Sequence, residues 1–328
     1  MRDKASIPTL DDVAKLANVS KAVASRALSG KNRPIAAEKK IRVLKAAEEL
    51  GYVANPFAQS LRDKSTGLVA IVVNHIADIS DLALFDPLIQ AIQALEKQAL
   101  FIRLRSEEDI TEIKRNPFVH RVDAALIFSD LIQPEEAPTL FYTDKVIMLN
   151  GRKIESGFSV TVNEALGIEE AILNANQRSI SQALLLCGRQ TSSTEQERIK
   201  SYQQAMKTHH IDIVELAYCD YSYELATQYL ESQPQQDRDN LGIFCTSDAM
   251  AMAAVDFFRN NSPDIVNKKF IYGFDNTQFS QRGSYRFSSI GYCNDSFIKK
   301  ITSLLRKNTF KNKQSRHLTV DTTFYCRD

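Results

Sequence analysis

Residues 9–30 read TLDDVAKLANVSKAVASRALSG, the pattern of two short helices separated by a tight turn. Thr9 is placed to cap a helix whose third position is Asp12, and Leu10, Val13, Ala14 and Ala17 recur at helical spacing to give it one apolar face. Asn18, Val19 and Ser20 interrupt that run: Asn turns the chain, Val19 plugs the angle, and Ser20 caps the next helix. The second helix then starts at Lys21. Its apolar side is Ala24, Ala27 and Leu28, so Lys21, Ala22, Ser25, Arg26 and Ser29 point outward, with short side chains flanking a long cation. Such a face fits a major groove. An ordinary helical hairpin with a solvated polar face satisfies the same spacing.

Residues 37–67 narrow the choice. A third amphipathic helix is predicted from Ala37 to Leu50, with Val43, Leu44, Ala47 and Leu50 closing a three-helix core and Gly51 ending it; GYVANPFAQSLRDKSTG comes next. In order and spacing, DVAKLANVSKAVASRALSG, VLKAAEELGY and NPFAQSLR resemble the headpiece and hinge of the LacI/GalR family of bacterial transcription regulators. The resemblance implies a small all-α helix-turn-helix headpiece over 1–53 and a hinge helix with linker over 54–66. It implies an effector-binding and dimerisation domain over 67–328.

Charge is distributed in agreement with that division. The 328 residues are 44% hydrophobic and 25% charged, enough for two or three packed units, and the net charge is only +1. Up to Lys64, however, there are 13 Lys and Arg against 7 Asp and Glu, and beyond it 28 against 33. A basic module that meets phosphates on a mildly acidic body has this signature, as does a solvated basic tail, which the helical pattern disfavours. No apolar run follows Met1 and no stretch of about 18 apolar residues occurs, so neither a secretory signal nor a membrane span is expected and the protein is expected to be cytoplasmic. Cys187, Cys219, Cys245, Cys293 and Cys326 are scattered without C-x-x-C spacing, which points to buried, reduced thiols.

From Leu68 onward, apolar strand-like runs alternate with helical patterns. Strands are predicted near 68–74, 100–104, 123–128, 145–149, 159–162, 182–187, 212–217, 241–245 and 269–274, the signature of a parallel α/β sheet. Similar series on either side of about residue 155 suggest two parallel-sheet subdomains with a ligand cleft between them. Periodicity goes no further; the family resemblance implies that this is a periplasmic-binding-protein-like core.

The same resemblance assigns roles. Lys21, Ala22 and Arg26 are the base-facing positions, and Ser20, Ser25 and Ser29 are placed for phosphates, with Thr9 and Leu10 at the start of the first helix also in the DNA-contacting set. Asn55 to Arg62 resembles the hinge helix, in which Leu61 is the minor-groove wedge and Ala58 its small neighbour, with Asn55 at its start. In the body, Asn150, Arg198, Tyr221, Ser247, Asp248, Asp275 and Tyr292 resemble effector contacts, suited to a sugar or sugar phosphate. Each has a bland reading too, Asp248 as the cap of the helix from Ala249 to Phe258 among them. Ser247 and Tyr292 depart from the family's usual Asn or Asp and Gln, and the chain has no Trp to serve as a sugar platform. The implied partners are double-stranded operator DNA in an approximate palindrome, a second copy of the chain, and a small effector; no cofactor, metal or membrane is implied. Release by the effector is expected, with co-repression the alternative.

Two other classes fit the sequence less well. An enzyme is disfavoured because there is no G-x-S-x-G, no glycine-rich phosphate loop and no H-E-x-x-H, and the five histidines (75, 120, 209, 210 and 317) have no metal spacing beyond one adjacent pair. An exported sugar-binding protein would share the body but not the basic headpiece.

Overall fold

In the computed structural model, Thr9 closes a capping box on α1 (Leu10–Leu16): its amide donates to Asp12 Oδ2 at 2.9 Å and its hydroxyl oxygen accepts from the Asp12 amide at 3.4 Å. Asn18 takes the left-handed conformation (φ 49°) that turns the chain, and the Ser20 hydroxyl caps α2 (Lys21–Leu28) through the Val23 amide at 3.3 Å. Helix α3 (Ala37–Leu50) closes the bundle, with Ala36 at its N-cap making no side-chain cap. The described residues are 8–28, 35–53, 65–76, 79–115, 121–152, 154–233, 240–261, 270–306, 310 and 315–327. They fall into two compact units, Met1–Thr66 and Gly67–Asp328.

The first unit is held by small residues. Val13, Ala14, Ala17, Ala24, Ala27, Val43, Ala46 and Ala47 are buried together, with Leu10, Val19, Leu28 and Leu50 packed around them. Leu44, expected in this core, is 47% exposed. The buried strip of α3 runs 43, 46, 47, 50, which is one helical face, and position 44 lies about 100° from position 43 around the axis.

The second unit repeats one topology twice. Strands β1 (Leu68–Val73), β2 (Gln98–Arg103), β3 (Ala124–Ile127), β4 (Val146–Met148) and β5 (Phe158–Asn163) lie in the order 2-1-3-4-5. Strands β6 (Gln182–Cys187), β7 (Asp212–Tyr218), β8 (Leu241–Cys245), β9 (Phe270–Phe274) and β10 (Ser288–Tyr292) lie in the order 7-6-8-9-10, the same arrangement. Every neighbouring pair within each half is parallel. The long strand β11 (Arg316–Tyr325) joins the halves: Arg316–Asp321 pair in parallel with β5, and Thr322–Tyr325 pair antiparallel with β10.

The connecting helices are α4 (Ile79–Gln93), α5 (Glu107–Arg115) and α6 (Ala137–Phe141) in the first half, and α7 (Ala165–Gln177), α8 (Ser193–Thr208), α9 (Tyr223–Ser232) and α10 (Asp248–Asn261) in the second. Helix α11 (Asn294–Leu305) follows β10 in the chain yet packs Phe297, Ile298, Ile301, Leu304 and Leu305 into the core of β1, β3 and β5. The chain therefore crosses between halves at 163–165, not near 155, because β5 completes the first half by pairing with β4. It crosses back at 292–294 and again along β11. Two strands, β10 and β11, are absent from the strands expected of the sequence. Three cysteines, 187, 219 and 245, are buried as expected, while Cys293 and Cys326 are exposed; all five are free.

Close approach at the first crossing depends on a glycine. A Cβ on Gly167 of α7 would lie 2.7 Å from Thr322 Oγ1 and 2.8 Å from Ile290 Cγ2. The same Thr322 hydroxyl accepts from the Gly167 amide at 3.1 Å and lies 3.1 Å from the Asn163 and Glu164 carbonyls. Alanine at 167 gains about 1 kcal/mol of helix propensity but overpacks a contact that typically costs ~1–3 kcal/mol, so the overpacking wins. Gly167→Ala is expected to lower the unfolding free energy by up to about 2 kcal/mol, seen as a lower urea midpoint at unchanged m value; raised stability would mean that α7 and β11 have room to part.

Candidate nucleic-acid face and ligand cleft

On α2 the side chains of Lys21, Ala22 and Arg26 are exposed, Val23 and Ser25 are half-buried, and Ala24 and Ala27 face the core. Lys21 Nζ lies 2.8 Å from Asp11 Oδ2, an exposed pair worth at most about 1 kcal/mol and easily exchanged for a phosphate. Ser20 and Thr9 are engaged as helix caps, and Leu10 packs against the headpiece core, so its side chain does not reach outward as a reader of bases. Ser29, Asn55, Ala58 and Leu61 lie outside the described residues.

In the second unit, a cavity of about 520 Å³ opens at the carboxyl ends of the strands, lined from both halves, with a neighbouring one of about 190 Å³. In an order 2-1-3-4-5 the connections leave β1 in opposite directions, which makes a crevice beside β1, and the second half has its equivalent beside β6. His75 lies two residues beyond β1 and Arg189 two beyond β6. They meet: Arg189 Nη1 donates to His75 Nδ1 at 2.7 Å, while Arg189 Nε donates to Asp220 Oδ1 at 2.7 Å. An arginine has only donors, so His75 accepts in its neutral form. Burial, then the Arg189 charge, hold its pKa below the usual 6.5.

A second set of bonds joins the halves beside the smaller cavity. The Thr194 hydroxyl donates to the Asn150 carbonyl at 3.1 Å, and the Ser193 amide to Asp130 Oδ1 at 3.4 Å. Arg152 binds the Asp130 carbonyl and Gln133 Oε1 at 2.6 Å each, and Ser193 Oγ at 3.3 Å.

Three expected effector residues line the large cavity: Arg198, Tyr221 and Asp275. Arg198 is buried and clamped, with Nε and Nη2 on Glu164 at 2.8 and 2.7 Å, Nη1 on the Thr246 carbonyl at 2.7 Å, and its guanidinium 3.7 Å from the Phe274 ring centroid. Burial works against its charge, but Glu164 and Glu195 outweigh that and raise its pKa. Tyr221 follows Asp220 with both in the left-handed region (φ 60° and 53°), and its hydroxyl donates to buried Glu195 at 3.0 Å. Its ring lies close against Gly188, where a Cβ would come within 1.9 Å of Tyr221 Cε1. Asp275 has φ 99°, and its backbone N–H donates a hydrogen bond to the Ile290 carbonyl at 2.6 Å; such a strained backbone is of the kind found at ligand sites.

The remaining four are placed differently. Asn150 lines the smaller cavity, with its amide donating to the Ser129 carbonyl at 3.0 Å. Ser247, Asp248 and Tyr292 line neither cavity. Ser247, not Asp248, bonds the first turn of α10 through the Met250 amide, and the Asp248 carboxylate instead ties Thr277 and Ser289 across β9 and β10. Burial pushes the Asp248 carboxyl up to about 6. Tyr292 packs beside Phe297 at the first-half core. Ser247 and Asp248 are used internally at the ends of β8–β10, and Tyr292 is taken up by the hydrophobic core of the first half.

Comparison with known proteins finds similarity over the headpiece and over most of the chain. Residues 9–55 match the family model described as bacterial regulatory proteins, lacI family. The probable HTH-type transcriptional repressor ExuR of Bacillus subtilis is 26% identical over 303 residues, covering 86% of each chain. The Lac repressor dimer bound to operator and the anti-inducer ONPF superimposes with a TM-score of 0.81 at 18% identity, over 98% of each chain. A CelR–cellobiose complex gives 0.69 at 19%, over 98% of this chain and 99% of that one.

Residues 9–55 belong to the lacI family of bacterial regulatory proteins. The large unit has the periplasmic-binding-protein-like fold of the Lac repressor core, and the relatives matched over most of the chain are transcriptional regulators, not enzymes. Among the described residues no helix is long and apolar enough to cross a membrane. His75, Arg189, Asp220 and Glu164 were missed from the sequence. The available signal was position: all four lie just past a strand's carboxyl end.

The His75 bridge has a measurable pH signature. A folded pKa below the unfolded value means that the bridge contributes fully above pH 6.5 and is lost as pH falls through the folded pKa. In an NMR titration, His75 is expected to titrate below 6.5, and Arg189→Gln to move it part of the way back, since burial remains. A wild-type value at or above 6.5 would show that the imidazole does not accept from Arg189.

Proposed function

We propose that this regulator grips an approximately palindromic double-stranded operator as a homodimer and represses genes of carbohydrate uptake or catabolism. A small polyhydroxylated effector in the cleft releases it. One observation carries the reading: a single chain joins a capped helix presenting Lys21, Ala22 and Arg26 to a cavity of about 520 Å³ at the strand carboxyl ends. The first is suited to a groove and the second to a metabolite. The relatives support both parts, since one matched structure carries operator DNA and an anti-inducer and another cellobiose.

In this reading Arg26 reads guanine bidentately, Ala22 offers a methyl contact, and Lys21 leaves Asp11 for a base or phosphate. Ser20, Ser25 and Ser29 face phosphates, with Thr9 and Leu10 at the α1 start beside them. Two hinges, each with Asn55, Ala58 and Leu61, meet at the dyad, and Leu61 wedges into the minor groove. Arg198, Tyr221 and Asp275 contact the effector, with Asn150 beside them. The protein works in the cytoplasm without a cofactor. Ligand control comes from unequal affinity for two arrangements of the halves of the large unit.

Selection of genomic fragments by the purified protein, then affinity measurements on the best site, tests this. A palindromic site is expected. Arg26→Ala is expected to lose preference at one base pair of each half-site by about 1–3 kcal/mol, with a shallower fall-off in salt. Weak binding indifferent to sequence, with or without added sugars, would contradict the reading.

A further inference from the structure

Two buried carboxylates face one guanidinium beside the large cavity. Glu164, Glu195 and Arg198 are all buried, where a charge left without a partner is costly. Arg198 commits Nε and Nη2 to Glu164 and Nη1 to the Thr246 carbonyl, so Glu195 Oε2, 3.8 Å from Nη1, receives no hydrogen bond from it. Glu195 is compensated by other donors: the Gly188 amide and the Thr246 hydroxyl reach Oε1 at 2.6 Å each, and the Tyr221 hydroxyl reaches Oε2 at 3.0 Å. The two carboxylates stand in different parts of the fold. Glu164 lies in the crossing from β5 to α7, and its carbonyl lies against Thr322 of β11, so it touches two of the three places where the halves join. Glu195 is in the first turn of α8, and its partner Tyr221 lines the cavity, as does Arg198 itself. The oxygen that holds Tyr221 is thus the one that faces Nη1. A ligand hydroxyl that takes Tyr221 removes a donor from that oxygen, and a buried carboxylate short of a donor attracts the nearest cation.

We infer that Arg198 is a shared counter-ion, which exchanges Glu164 for Glu195 when a ligand draws the Tyr221 hydroxyl away, and that the exchange releases the crossing between the halves. Glu164 is then the positioning residue through which occupancy of the cavity reaches the joint, without touching the ligand. This rests on the cavity being the effector site. It supplies the two-state element that coupling of two sites requires, and it holds whether ligand weakens or strengthens operator binding.

The experiment compares the full-length wild type with Glu164→Gln, Glu164→Asp and Glu195→Gln on the operator fragment selected from the genome. The probes are glucose, galactose, maltose, cellobiose and their phosphates. Operator affinity is measured without sugar and with saturating sugar, saturation being set from each variant's own sugar affinity, and the ratio is compared. A merely structural part for Glu164 would lower the thermal midpoint and leave the ratio alone. Glu164→Gln, which leaves Glu195 as the one full charge beside Arg198, is expected to bring the ratio from about 5- to 150-fold to below ~2-fold. Glu164→Asp, which keeps the carboxylate, should retain more of it than Gln does. Glu195→Gln is also expected to bring the ratio below ~2-fold, and because it lies outside the crossing it reads the exchange even where Glu164→Gln does not fold. A folded Glu164→Gln or Glu195→Gln that keeps the wild-type ratio overturns the exchange and leaves the cavity as an effector site. A folded wild type that binds none of the probes, or binds one without any change in operator affinity, overturns the effector reading and the inference with it.

Discussion

Strand β11 belongs to both halves of the large unit, and the rest of the site depends on that sharing. Six of its residues pair with β5 and the next four with β10, so the two parallel sheets are registered to each other by one continuous backbone. At the change of partner, Thr322 ties the β5–α7 crossing through the Gly167 amide and lies against the Asn163 and Glu164 carbonyls. Within that crossing, Glu164 also uses its carboxylate to clamp Arg198. The crossing that joins the halves therefore also supplies the counter-charge that fixes an arginine in the cleft wall.

Repetition of one topology supplies the cleft. Each half places a crevice at the carboxyl end of its first strand, and joining the halves along β11 sets the two crevices face to face, so that His75 and Arg189 meet although 114 residues separate them. The bonds of His75, Asp130, Asn150 and Arg152 to the second half hold the cleft partly closed by the protein's own groups. In the proposed function a ligand competes with them, and the balance it shifts is set by several polar bonds, each contributing on the order of 1 kcal/mol.

The legibility of each feature in the sequence depends on how local it is. The headpiece was readable almost residue by residue, because caps and turns act over three or four positions: Thr9 with Asp12, Asn18 at positive φ, Ser20 on Val23. Leu44 was misplaced because neighbouring apolar residues on a helix look alike until the face is fixed by its partners. Nine strands were visible as apolar runs. Strand β10, SSIGY, was not, since two serines and a glycine hide its burial, and β11 alternates between faces and changes partner midway. In the cleft, Arg198, Tyr221 and Asp275, named through the resemblance, line the large cavity, whereas Ser247, Asp248 and Tyr292 are drawn into internal packing. His75 and Arg189 carry a positional signal just past β1 and β6, but their bond to each other exists only once the halves are brought together.

In the proposed function, cleft and operator are thermodynamically coupled, and coupling of two sites is reciprocal. With a sugar that binds the purified protein, operator affinity is measured at saturating ligand and in its absence, and ligand affinity with and without operator. The two ratios are expected to be equal, with ligand weakening operator binding by about 5- to 150-fold. A ligand that binds tightly in the cleft, with the same affinity whether or not operator is present, would contradict it.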